Sequence, residues 1–160
     1  MPQAKRRAKP AKAKFKAELT PIYDWFAQQG WQPLGFQQAT WSAYLAGQSG
    51  LIQVPTGSGK TYAAVMGPMA EMLQSPEKKG LKLLYITPLR ALSRDIEKSI
   101  LRPIEEMGWA LRVESRTGDT KSSQKTRQMK TMPDILITTP ESLSVMLSYV
   151  GAQKRFGSLR

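Results

Sequence analysis

The sequence predicts an α/β chain in which a parallel sheet carries helices on both faces. Three observations lead there. Short apolar, β-branched runs alternate with longer amphipathic stretches from residue 51 onward, the pattern of strands joined by crossover helices. Each run leads into a polar, turn-forming segment, at 54–61, 87–90, 116–120 and 138–141. The first of these segments is rich in glycine and sits between an apolar run and a helical stretch. In an open parallel sheet the carboxyl ends of the strands form the ligand-binding edge, so the four polar segments are expected on one rim.

Taken in order, Thr20-Pro21 reads as an N-cap followed by proline in the first helical turn. Ile22, Trp25 and Phe26 then share a face, and Gly30 closes that helix. A second helix is expected over 36–46, ended by Gly47, and a buried strand over 51–54. The helix expected over 61–73 contains Pro68, which should kink it or start a new segment. Strands are expected at 81–87, 111–115 and 134–139. Between them lie a helix at 89–101, with Leu92, Ile96 and Ile100 on one face, and a polar stretch at 118–131 with a helical inner part. Pro140 opens a last helix that runs to about residue 149.

At 160 residues the chain has the length of one domain, and its 41% hydrophobic content is that of a globular protein. No apolar run reaches 18 residues, and the basic N-terminus lacks the apolar stretch of a secretory signal. These features predict no membrane partner. There is no cysteine and no histidine, which removes disulfides, thiolate chemistry, Cys/His zinc sites and His-dependent triads within the chain. The absence of cysteine fits a reducing, cytoplasmic setting. The net charge is +12, from 24 basic and 12 acidic residues. Seven of the basic residues and no acidic one lie in residues 1–16, leaving 17 against 12 in the rest. Residues 1–18 are therefore expected to be a basic disordered tail, either solvated or attracted to phosphate.

The chemistry is concentrated in Val54-Pro55-Thr56-Gly57-Ser58-Gly59-Lys60-Thr61. This is a phosphate-binding loop in the strand–loop–helix setting such a loop requires. Glycines let the backbone turn its N–H groups toward phosphate oxygens, and the following helix presents its positive end to them. Thr56, Gly57, Ser58 and Gly59 are the cradle. Lys60 is expected to reach the β- and γ-phosphates of ATP, and Thr61 to ligate Mg²⁺. The loop departs from the general pattern at Val54, where glycine is usual.

Combined with Thr87-Pro88-Leu89-Arg90-Ala91-Leu92, Arg116-Thr117-Gly118-Asp119-Thr120 and Thr138-Thr139-Pro140-Glu141-Ser142-Leu143, the chain from about residue 25 onward resembles the first RecA-like domain of superfamily 2 DExH-box DNA helicases. The Lhr-type group is the nearest match, particularly its ligase-associated kind. The resemblance implies a three-layer P-loop NTPase fold, here incomplete, over 19–160. It implies an ATP-dependent DNA helicase with ATP and Mg²⁺ as cofactors and a role in DNA repair. Single-stranded or duplex DNA backbone, and repair proteins such as a ligase, are the implied partners. Gln37 matches the family glutamine that reads adenine, although the family's T-P-x-Q is here Leu34-Gly35-Phe36-Gln37. Thr87, Pro88 and Arg90, then Gly118, Asp119 and Thr120, then Thr139, Pro140 and Glu141 match the segments that grip the nucleic-acid backbone. Such contacts position a strand without reading its sequence.

Hydrolysis needs one carboxylate to help hold Mg²⁺ and another to activate water. None of the 12 acidic residues lies in a D-E-x-H or D-E-A-D box. Glu105-Glu106 follows Pro103-Ile104, and Asp134 precedes its strand. The resemblance therefore implies a chain cut just before its acidic-box strand, which with the next strand would lie beside the phosphate-loop strand in mid-sheet. The remainder of the parent protein is then itself a partner. A non-catalytic ATP- or nucleic-acid-binding module, and a small kinase built on the same loop, remain the alternatives.

Overall fold

The computed structural model describes residues 15–159. The chain divides into two units, Met1–Ala70 and Glu71–Arg160. The first 14 residues of the expected basic tail lie outside the described residues.

In the first unit, α1 spans Lys16–Gln28 and α2 spans Gly35–Leu45. Helix α1 buries Leu19, Ile22, Trp25 and Phe26. It starts ahead of the expected cap. Thr20 lies inside it, its hydroxyl donating to the Lys16 carbonyl at 2.9 Å, and Pro21 is also internal. Leu19, three residues before Ile22, shares the buried stripe, so burial favours starting the helix upstream of the proline. Aromatic rings fill the interior of this unit. Trp25 meets Phe26, Trp31 and Tyr62 edge-on at centroid distances of 5.3, 5.7 and 5.1 Å. Trp41 of α2 is fully buried and donates its indole N–H to the Tyr62 carbonyl at 2.9 Å.

Two expectations here need correction. Residues 51–54 form no strand. A strand is defined by its ladder, and among the described residues only three strands pair. Leu51 is 87% exposed, so its apolar surface is not sheltered by a neighbour. Pro68, moreover, does not divide its helix: α3 runs unbroken over Lys60–Gln74. Ala63, Val65, Met66, Met69 and Ala70 are buried along it, and that burial outweighs the one hydrogen bond the proline removes.

The second unit contains β1 (Leu83–Ile86), α4 (Arg90–Met107), β2 (Val113–Arg116), α5 (Ser122–Lys130), β3 (Ile135–Thr138), α6 (Pro140–Ser148) and a short α7 (Ala152–Phe156). The last was not anticipated; Gly151, in the left-handed region at φ 84°, precedes it. The sheet order is β1-β3-β2, with both pairings parallel. Strand β3 reads Ile-Leu-Ile-Thr and is buried at every position, as a central parallel strand should be.

Register fixes which side chains share a face. Leu84, Leu136 and Glu114 align, as do Tyr85, Ile137 and Ser115. Leu136 belongs to a cluster with Leu81 and Met146, joined by Met129, Leu143, Phe156 and Leu159. Helices α5, α6 and α7 thus cover that face. On the other, Ser115 donates to a Glu97 carboxylate oxygen of α4 at 2.7 Å. Helices therefore lie on both faces, as the sequence pattern predicts.

Asp134 closes the amino edge of the sheet. Its carboxylate accepts from the Lys82 ammonium and from the Arg112 backbone N–H at 2.9 Å. Its carbonyl accepts from the backbone of Lys82 and Leu83 at 2.9 and 3.1 Å. This is a structural staple at the edge away from the rim.

Truncating Leu136 to alanine is expected to cost about 2–5 kcal/mol, because its site is sealed by helices and cannot collapse. Val145→Ala, at a side chain 50% exposed, is expected to cost well under half of that. Urea denaturation midpoints for the two variants check the contrast.

Candidate nucleotide loop and nucleic-acid rim

The phosphate loop lies in the first unit. Its Ser58 N–H donates to the Pro55 carbonyl at 3.3 Å, folding the loop back on itself. Gly57 and Gly59 sit at φ 79° and 85°, a conformation that side chains with a Cβ rarely adopt. At Gly59 a Cβ would also stand 2.6 Å from the Gln37 side-chain nitrogen. Helix α3 begins at Lys60, and the Ala63 N–H is already paired with the Gly59 carbonyl at 3.1 Å. Thr56 and Gly57 are exposed, Ser58, Gly59 and Thr61 half-buried, and the Lys60 side chain exposed. The loop therefore offers turned backbone donors, a helix N-terminus and an ammonium group, which is the donor set that suits a polyphosphate. Among the described residues no cluster of three His, Cys, Asp or Glu side chains stands ready for a metal. A hydroxyl such as that of Thr61, in the first turn of α3, is the class of oxygen donor that Mg²⁺ takes.

Gln37 is only 3% exposed. Its amide oxygen accepts from the Leu34 N–H at 2.8 Å, and its amide nitrogen donates to the Gly59 carbonyl at 3.2 Å. It thus ties the start of α2 to the phosphate loop, with one donor and one lone pair still uncommitted. Nothing in the sequence signals this link, because residues 37 and 59 are far apart along the chain.

The other three polar segments lie in the second unit, and the parallel register gathers them at one edge. Ile86, Thr138 and Arg116 are in-register partners at the carboxyl ends of β1, β3 and β2. Thr87 is buried, and its N–H donates to the Thr138 carbonyl at 2.9 Å; Pro88 is exposed beside it. Residues 117–120 form a tight turn. The Thr120 N–H donates to the Thr117 carbonyl at 3.2 Å, and the Thr120 hydroxyl accepts from the Thr117 N–H at 2.9 Å.

Arg90 reaches across this turn to Asp119, Nη1 to Oδ1 at 3.1 Å. A Cβ on Gly118 would lie 2.7 Å from Arg90 Nη2, so glycine lets the guanidinium cross there. Both charged side chains are 61% exposed, so the pair contributes less than about 1 kcal/mol. Thr139 caps α6, accepting from the Ser142 N–H at 3.4 Å, while Pro140 and Glu141 open the helix at the surface.

Sequence reasoning missed Lys125 and Tyr149 at the same edge, and placed Arg116 there only as the opening residue of the 116–120 segment, without a contact of its own. Arg116, Lys125 and Tyr149 join Arg90, Thr139 and Glu141 around a cavity of about 230 Å³. Arg116 is buried, and burial pulls its guanidinium below the usual arginine range, with the Tyr149 phenol acting in the opposite sense. The available signal was register: Arg116 pairs with Thr138 in a strand with helices on both sides.

Residues 35–160 match the DEAD/DEAH box helicase family. The chain is 34% identical over 143 residues to the Lhr helicase/uracil glycosylase of Escherichia coli strain K12, covering 78% of this chain and 9% of that protein. It is 38% identical over 142 residues to the ATP-dependent helicase Lhr-Core of Methanocaldococcus jannaschii, covering 80% and 17%. Among solved structures, helicase Lhr of Mycobacterium smegmatis bound to ssDNA and AMP-PNP superposes with a TM-score of 0.78 at 33% identity. That superposition covers 95% of this chain and 20% of the other. The DUF1998 helicase MrfA, at 24% identity and TM-score 0.76, shares the fold. The chain thus spans a fifth or less of the length of these Lhr relatives. Over most of its length, the chain belongs to the DEAD/DEAH box helicase family.

Proposed function

We propose that the chain is the ATP-binding and nucleic-acid-binding part of an ATP-dependent DNA helicase. The observation that carries the reading is the gathering of Thr87, Arg90, the 117–120 turn and Thr139 at one edge of a parallel sheet, in a chain that also holds a phosphate loop. Backbone donors, a capped helix start and a guanidinium on one rim suit a phosphodiester strand. Thr87, Pro88 and Arg90, Gly118, Asp119 and Thr120, and Thr139, Pro140 and Glu141 are the residues assigned to it. DNA is favoured over RNA because the Mycobacterium smegmatis relative was solved with ssDNA.

In the nucleotide loop, Thr56, Gly57, Ser58 and Gly59 would wrap the phosphates. Lys60 would neutralise them, Thr61 would ligate Mg²⁺, and Gln37 would read adenine while bracing Gly59. Bound ATP and Mg²⁺ supply the phosphoryl transfer that powers such helicases. This chain's residues hold phosphate and metal, and none of its 12 acidic residues lies in a box able to activate water. The likeness of the rim segments to the ligase-associated helicases favours a role in DNA repair, with the rest of the parent protein and a ligase as partners in the cytoplasm. Among the described residues no helix is long and apolar enough to cross a membrane.

Replacing Lys60 with alanine is expected to weaken binding of a fluorescent ATP analogue about 10- to 100-fold, the worth of a charge-assisted contact to phosphate, while leaving the unfolding midpoint within error. Unchanged affinity would remove the loop from the nucleotide site. Without a positioned base the chain alone is expected to turn over ATP at least about 10²–10⁴-fold below an ordinary ATPase. Turnover near ~10 s⁻¹ that disappears in Lys60→Ala would contradict the assignment.

A further inference from the structure

Arg116 presents a charge problem that the rim segments do not resolve. It is 4% exposed, and burying a charge costs several kcal/mol unless a partner offsets it. Its guanidinium donates from Nη1 to the Lys125 carbonyl at 3.1 Å, a neutral acceptor. Among the described residues no carboxylate lies within ion-pair distance of it. Lys125 repeats the pattern: its ammonium donates to the Gly118 carbonyl at 3.1 Å and also has no carboxylate partner among the described residues. Both side chains line the 230 Å³ cavity at the carboxyl ends of β2 and β3, with the first turn of α6 on its wall.

Two cations that share a cavity with one carboxylate, Glu141, ion-paired to neither of them, leave a positive charge that an anion from outside can match. The cavity's other charges narrow the choice. Arg90 is already paired with Asp119, and Glu141 on the lining is not paired with either cation. Arg116 and Lys125 against Glu141 leave one net positive charge, which suits a singly charged phosphodiester better than a multiply charged free phosphate. The nine-residue α6 directs its positive end to the same place.

We propose that Arg116 and Lys125 form a subsite for one backbone phosphate of a nucleic-acid strand crossing the rim, behind the Arg90–Asp119 pair. The proposal rests on the reading of the rim as a nucleic-acid interface and adds Lys125, which no rim motif supplies, and a role for Arg116, the buried first residue of the 116–120 segment. Arg116 gives a buried fork held by the Lys125 carbonyl, and Lys125 a half-buried point charge beside it. Because both act on one phosphate, their effects should not add.

The test is fluorescence anisotropy of a labelled oligothymidylate with the full chain over a range of salt concentrations. Lys125→Gln should weaken binding several-fold and reduce the slope of log affinity against log salt by about 0.7, the value for one phosphate contact on a single strand. Arg116→Lys should weaken binding comparably, and the double variant by less than the product of the two. Should Arg116→Lys fail to fold, Lys125→Gln still decides, because it keeps the carbonyl that Arg116 uses. Arg90→Ala separates the two levels of the account. If Arg90→Ala weakens binding while Lys125→Gln keeps wild-type affinity and slope, the subsite is wrong and the rim reading stands. If neither substitution changes binding, the rim reading falls and takes the subsite with it.

Discussion

Parallel pairing of β3 with both of its neighbours is the constraint on which the rest of the second unit depends. Hydrogen bonding in one direction on either side of Ile135–Thr138 sends the carboxyl ends of all three strands to one edge. Residues 87–90, 117–120 and 139–141 become neighbours there although long stretches of chain separate them. The same pairing leaves Asp134 at the opposite edge, where its carboxylate and carbonyl fasten the starts of β1 and β2. One arrangement thus produces a stapled amino edge and a polar, donor-rich carboxyl edge.

The chemistry of the rim follows from how each strand ends. Thr138 donates its hydroxyl to the Arg116 carbonyl at 2.7 Å, so the last rung of the sheet is reinforced by a side chain. Thr139 turns at once to cap α6, and Thr117 opens a tight turn. These groups are donors and charges held by short connections to a buried sheet, which gives a surface able to position a phosphodiester strand without reading its bases. The phosphate loop uses a similar economy: Gly57 and Gly59 adopt backbone angles closed to most residues, and the Gln37 amide fills the space that a Cβ at Gly59 would need.

Much of this was legible in the sequence because the signals were local. The Ile-Leu-Ile-Thr run announced a buried strand, and Thr139-Pro140 a helix start. What escaped was non-local. Residues 51–54 have strand composition, yet composition cannot supply the neighbouring strand that a ladder requires. Thr20-Pro21 looked like a cap, but Leu19 belongs to the buried stripe and draws the helix start upstream. The Gln37–Gly59 bond and the burial of Arg116 depend on packing between distant segments, and no spacing rule reports them. That Asp134 precedes its strand was legible, since its position relative to the Ile-Leu-Ile-Thr run is a local fact.

The most direct test of the central claim, that nucleic acid lies along the carboxyl edge of the sheet, is amide hydrogen exchange of the chain with and without a single-stranded oligodeoxynucleotide. The expected result is slowed exchange at residues 89–90, 117–120, 139 and 141–142, with the amino edge at 79–82, 131–132 and 134 unchanged. Protection confined to the amino edge, or absent from the rim at saturating oligonucleotide, would contradict it.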